Sequence, residues 1–268
     1  MMYEKFYNLK ENPFNMTPDT RYFYPSEKHQ EALDNLLYSI NERKGFAVIT
    51  GDIGAGKTTI CRALINQLSP NTKVSLIFST QLGTKELISS ILEDFGLEPV
   101  KDTKSRLLSQ LNEFLIQELS NDNNVVLIID EAQNLSKSVM EEIRMLSNLE
   151  TEREKLIQII LMGQPELREK LRTASLEQFK QRIALYYHLT PLDKPDTEGY
   201  IKHRLTIASN NGIELFTQEA FDKIYEYSHG VPRLINSLCD RALLNGFTDN
   251  KTIVDINIIE EAIKEKEI

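Results

Sequence analysis

Residues 51–59 read GDIGAGKTT: a glycine, four residues, then Gly56, Lys57 and Thr58. That spacing is the full phosphate-loop pattern, and it constrains the fold because it functions only between a strand and a helix. The apolar run FAVIT, Phe46 to Thr50, precedes it, and residues 59–68 read as a helix after it. Glycines let a backbone approach a polyphosphate closely, so the N–H groups along Gly51, Asp52, Ile53, Gly54, Ala55, Gly56, Lys57, Thr58 and Thr59 are expected to face its oxygens. The N-terminus of the following helix adds its positive end. Lys57 is placed to reach the β- and γ-phosphates, and the Thr58 hydroxyl to ligate Mg²⁺. A glycine turn that merely carries a lysine would not need the strand, the spacing and the hydroxyl together.

A second motif, VVLIIDE, spans Val125 to Glu131. An apolar strand ending in two acidic residues sets both carboxylates at the carboxyl edge of a sheet, where open α/β folds bind ligands. Asp130 is the expected partner of the Mg²⁺ shell, and Glu131 is positioned to polarise an attacking water. Alone, the run reads equally as a strand with a solvated acidic turn; the phosphate loop upstream favours the catalytic reading.

Three weaker signals follow. Gln164, in Gly163-Gln164-Pro165, ends the next strand and is suited to bonding a water or the γ-phosphate, or simply to closing a turn before a proline-led helix. Arg182, in FKQRIAL, is suited to reaching a neighbouring subunit's γ-phosphate; a surface arginine is the plainer reading, and Arg168, Arg172 and Lys180 are rivals. Arg233, in HGVPRLIN, opens a late helix, where its guanidinium would close on phosphates or form a salt bridge within the helical part.

The organisation of the chain agrees with these motifs. Strands are expected at 46–50, 73–80, 125–129, 156–162 and 183–189, alternating with helices. That alternation implies an α/β fold: a phosphate-loop three-layer sandwich whose five-stranded, mostly parallel sheet is covered on both faces. From Thr197 only helical patterns remain, at 197–210, 217–228, 232–246 and 255–266, with Thr217 and Asp255 as N-caps and Pro232 in a first turn. The expected domains are therefore an α/β domain over 1–190 and a small all-helical domain over 191–268. The aromatic, proline-punctuated first 25 residues are too apolar for a free tail and are assigned to the body of the first domain.

Bulk properties narrow the class. With 41% hydrophobic and 26% charged residues the 268-residue chain is of ordinary globular composition. No run is long and apolar enough to span a bilayer, and the N-terminus lacks a signal-peptide layout, so a cytoplasmic location is expected. A formal net charge of −9 argues against a generic nucleic-acid binder, although a basic channel built by oligomerisation would escape a sequence reading. Cys61 and Cys239 read as two buried reduced thiols. His29, His188, His203 and His229 lack metal-ligand spacing and are assigned to surface or packing roles.

Taken in order, GDIGAGKT, LIIDEAQNL, LMGQPEL, QRIAL and GVPRLIN resemble an AAA+ ATPase. With the opening YEKFYNLKENPFNMTPDTRYFY they resemble, across essentially the whole chain, the ATPase region of the general secretion pathway protein A (ExeA-type) family. The resemblance implies ATP and Mg²⁺ as cofactors, Gln164 as sensor 1, Arg182 as a trans-acting finger and Arg233 as sensor 2, with the helical part as a lid. It implies that the N-terminal segment helps to frame the adenine site and that the protein works as a homo-oligomer on a protein partner. Family members continue past the ATPase into a membrane span and a periplasmic peptidoglycan-binding module; this sequence stops at Ile268 without them, which leaves the secretion role open. Related AAA+ proteins regulate DNA transposition, so a nucleotide-gated DNA-binding module is the alternative. A small-molecule phosphate-loop kinase would leave the helical part and Arg233 without a role.

Overall fold

The computed structural model describes residues 3–78, 82–100, 102–152, 154–209 and 212–266. Its residues group into two compact units, one of Gln30–Ile53 and Ile60–Leu189, the other of Met1–His29, Gly54–Thr59 and Thr190–Ile268.

The first unit is built on a five-stranded sheet in the order β2-β3-β4-β1-β5. Its strands are β1 (Phe46–Gly51), β2 (Thr72–Ile77), β3 (Asn124–Ile129), β4 (Gln158–Gly163) and β5 (Leu185–Leu189). Every ladder is parallel. The central strands β1, β3 and β4 are the apolar, β-branched runs that a sheet covered on both faces demands. Successive side chains alternate between faces. Phe46, Val48, Val125, Leu127, Ile129, Ile159 and Leu161 enter one core with residues of α3 (Thr84–Asp94), α4 (Lys104–Ser120), α5 (Lys137–Leu146), α6 (Pro165–Leu171) and α7 (Glu177–Lys180). Their neighbours Ala47, Ile49, Val126, Ile128, Ile160 and Met162 are equally buried, as are Leu33, Leu36 and Ile40 of α1 (Glu27–Asn41) and Ile60 and Leu64 of α2 (Lys57–Gln67).

Because all strands run the same way, their carboxyl ends share one edge. Gly51, Ile129 and Gly163 end β1, β3 and β4 there, and the registers that pair Thr50 with Gly163 and Ile129 with Leu161 keep those ends level. The fold class read from the sequence is the one observed. In detail, β2 ends at Ile77, and Ser79 and Thr80 of the expected strand lie outside the described residues.

The second unit contains α8 (Lys194–Ala208), α9 (Gln218–Ser228), α10 (Pro232–Thr248) and α11 (Ile256–Lys264). Thr217 and Asp255 cap α9 and α11 through their side chains, as their positions predict. Helix α8 begins three residues earlier than its apolar pattern suggests, because the Asp193 carboxylate accepts from the Asp196 N–H at 2.8 Å and Pro195 suits the first turn. The end expected at Asn210 lies outside the described residues.

One expectation is corrected. The N-terminal aromatic segment, assigned by sequence to the α/β domain, groups with the helices. Tyr3, Tyr7, Phe14 and Tyr22 are buried in one core with Ile201, Leu205, Ile224, Leu238 and Leu243. Arg204 of α8 ties the segment down: it lies 4.5 Å from the centroid of the Tyr22 ring and donates to the Pro13 and Asn15 carbonyls at 2.5 and 3.3 Å. Apolar periodicity cannot reveal such a partner, because the segment has no regular secondary structure and the tie comes from a charged residue nearly 190 positions away.

Candidate functional site

Gly54–Thr59 runs directly into α2, whose first residue is Lys57. Gly54 and Gly56 have φ of +81° and +102°, a region that other residues enter only with strain. Gly54 is also required sterically, since a Cβ there would sit 2.6 Å from Arg233 Cβ and 3.3 Å from Val231 Cγ1. Lys57 is nearly buried, and Ala55 fully so.

Arg233 is the second residue of α10, where a backbone N–H has no intrahelical acceptor. It donates instead to the Gly54 carbonyl at 3.3 Å. Its side chain is exposed, and among the described residues no carboxylate forms an ion pair with it. The start of α10 thus lies against the glycine loop through its backbone.

His29, assigned from sequence to the surface or to packing, meets the same loop. It is 5% exposed. Its Nε2 lies 3.0 Å from the Ala55 carbonyl and its Nδ1 2.8 Å from Ser26 Oγ. Burial lowers its pKa, against the opposing pull of the Ala55 carbonyl and Asp196. Nothing in the local sequence links position 29 to position 55; only the Ser-x-x-His start of α1 hints at a ring folded back on the helix N-terminus.

In the sheet unit, Asp130 and Glu131 follow β3 at its carboxyl end. Asp130 is 3% exposed and accepts from the Glu131 N–H at 2.9 Å. Cys61 of α2 is buried close enough for the Asp130 charge to count. Desolvation, then that charge, push its thiol up to about 12, so it is an inert packing group. Cys239 is likewise free and buried.

Glu131 has φ 54°, ψ 34°, a left-handed conformation uncommon for a side-chain-bearing residue. Its carboxylate is held from two sides. Gln133 Nε2 donates to Oε2 at 2.6 Å, and Gln164 Nε2 donates to the same oxygen at 3.2 Å. The Gln133 carbonyl oxygen accepts from the Gln164 N–H at 3.1 Å, so each end of that amide has its own partner. Lys170 of α6 donates to the backbone carbonyl of Gln133 at 2.7 Å and to the backbone carbonyl of Leu135, pinning the turn; burial lowers its pKa. Gln133 was missed in the sequence, although an amide two residues past an acidic strand end is a readable signal.

Arg182 lies elsewhere. It sits in the turn between α7 and β5, at the amino edge of the parallel sheet, with Glu150 as its charged neighbour. A five-residue strand rises roughly 3.3 Å per residue, so about 16 Å of sheet separates that edge from the carboxyl ends that carry Glu131 and Gln164. Of its rivals, Arg168 stacks on Tyr186 and Arg172 pairs with Glu169.

Residues 40–171 match the family model described as "AAA domain". Over 247 residues, 92% of the chain is 41% identical to 45% of General secretion pathway protein A of Aeromonas hydrophila. An uncharacterised HTH-type transcriptional regulator of Methanocaldococcus jannaschii is 26% identical, with 85% of this chain and 58% of that protein covered. The chain thus spans about half the length of these relatives. Among solved structures, Drosophila ORC bound to DNA aligns with 97% of this chain and 65% of its own, at a TM-score of 0.73 and 16% identity. The Aeropyrum pernix ORC2 protein (ADPNP-ADP complexes) aligns with 96% and 72%, at 0.69 and 14%. At such identities the structures speak for the fold alone. No helix of the described residues is long and apolar enough to cross a membrane.

Proposed function

This chain is an AAA+ P-loop protein resembling the ATPase region of General secretion pathway protein A, and from that premise we propose that it binds MgATP and hydrolyses it. We further propose that turnover drives or switches the assembly of a macromolecular complex by a homo-oligomer of this chain.

The observation that carries this reading is the carboxylate of Glu131, held by the amides of Gln133 and Gln164 at the carboxyl edge of the sheet. A P-loop protein that only binds nucleotide has no need of a second, oriented acid after the metal-binding aspartate. Glu131 is the general base that takes the proton of the attacking water. Gln164 orients that water or the γ-phosphate. Lys57 and the N–H groups of the glycine loop neutralise phosphate charge, and Arg233, beside Gly54, senses the nucleotide. The residues fit a nucleotide-borne Mg²⁺ better than a protein-bound metal: no group of three or more His, Cys, Asp or Glu able to hold a metal occurs among the described residues. Thr58 and Asp130 would hold the Mg²⁺, and it would supply positive charge to offset the charge of the polyphosphate during transfer.

A second reading, a nucleotide-gated DNA-binding module, draws on the HTH-type regulator and on a similar fold solved on DNA. The net charge of −9 weighs against it. Steady-state ATPase assays with and without duplex DNA separate the two. Turnover independent of DNA and abolished by Glu131→Gln supports the first reading, and nucleotide-dependent DNA binding without turnover supports the second.

A further inference from the structure

We propose that His29 is a positioning residue that locks the Ala55–Gly56 peptide in its phosphate-binding orientation. The inference rests on the phosphate-loop reading and extends it to a residue outside the motif.

The hydrogen-bond chain fixes the state of the ring. The Ala55 carbonyl can only accept, so the 3.0 Å contact requires a hydrogen on Nε2. In the neutral ring Nδ1 then accepts, and Ser26 Oγ, 2.8 Å away, donates to it. The same hydroxyl oxygen accepts from the His29 N–H at 3.4 Å, so ring and helix start are fixed together. Burial of the imidazole favours the neutral form that this chain needs.

The consequence for the loop follows from peptide geometry. In a trans peptide the C=O and the N–H point in opposite directions. With the Ala55 oxygen turned toward His29, the Gly56 N–H faces the other way, as a phosphate donor must. Gly56, at φ +102°, has the freedom to flip this peptide, and a flip would turn the N–H away from phosphate. His29 removes that freedom. A Cβ at position 56 would lie 3.0 Å from Nε2 and would crowd the ring in addition to straining the backbone at φ +102°.

The test measures ADP affinity by calorimetry for the wild type and for His29→Phe, His29→Ala and His29→Gln. His29→Phe keeps the ring's bulk but not its donor and should weaken binding roughly tenfold, as should His29→Ala. His29→Gln, whose amide N–H extends about as far as Nε2, should return to within about threefold of wild type. Wild-type affinity in His29→Phe would overturn the proposal. A second measurement needs no variant: in nucleotide-free wild-type protein, a long-range ¹H–¹⁵N spectrum should show His29 as the Nε2–H tautomer. An Nδ1–H tautomer would overturn the proposal even if every variant unfolds. Wild-type protein that binds no ADP would instead overturn the phosphate-loop reading, so the two failures are distinguishable.

Discussion

Gln133 donates to Glu131 at 2.6 Å while its own carbonyl oxygen accepts from the Gln164 N–H at 3.1 Å. One amide thus ties the acid at the end of β3 to the turn at the end of β4. Both of its ends are used, and no carboxylate or apolar side chain of similar shape can satisfy both.

Replacing Gln133 tests that tie. Gln133→Leu should lower kcat about tenfold with little change in KM, because a hydrogen bond to a charged group is worth roughly 1.5–3 kcal/mol and this one orients the base rather than the substrate. Gln133→Glu, which loses the donor and sets a second negative charge beside Glu131, should lower kcat at least as much. An unchanged kcat in both variants would remove the tie between Gln133 and the base.

Arg182 belongs to the opposite edge of the sheet from Glu131 and Gln164, so it does not serve the acid of its own sheet. Arg182→Ala should bind ATP nearly normally and hydrolyse it poorly, and mixing with Glu131→Gln subunits should partly restore turnover. Specific activity of the wild type should rise with protein concentration as subunits associate. Two variants that remain inactive in a verified mixed oligomer would exclude a finger supplied in trans by this arginine.

The N-terminal segment supplies a stability test. Arg204 is buried, with its donors on the Pro13 and Asn15 carbonyls and on the Tyr200 hydroxyl. Arg204→Met keeps much of the stem but leaves those acceptors unpaired. It should cost about 2–4 kcal/mol in denaturant unfolding and hasten proteolysis near residues 13–22. A cost below about 0.5 kcal/mol would mean that aromatic burial alone holds the segment.

How far the sequence reached depended on the range of the signal. Strand–loop–helix punctuation and β-branched runs made all five strands and the parallel sheet legible, since those patterns are local. Gly51 and Gly56 announced themselves by spacing. What stayed hidden was contact across long separations: His29 on Ala55, Arg204 on Pro13, and the grouping of the aromatic segment with the late helices. None of these leaves a periodic trace. Gln133 is intermediate, because its place beside Glu131 is local but its bond to Gln164 is not.

Acidification supplies a further check. His29 and His203 both have pKa values lowered chiefly by burial. A group depressed in the folded state binds more protons when unfolded, so stability is complete above the ordinary value near 6.5. It then falls as pH drops toward the folded value, by up to about 1.4 kcal/mol per pH unit for each histidine. Denaturant unfolding between pH 7.5 and 5 should show that loss, and His29→Gln should reduce it. Stability constant over this window would contradict the buried neutral state of both rings.

The most direct measurement is ATP turnover and nucleotide affinity determined side by side in wild type, Glu131→Gln and Lys57→Ala. The account predicts that Glu131→Gln binds ATP as tightly as wild type and loses roughly 10²–10⁴-fold in kcat, whereas Lys57→Ala loses binding itself. Wild-type-like turnover in purified Glu131→Gln protein would contradict it.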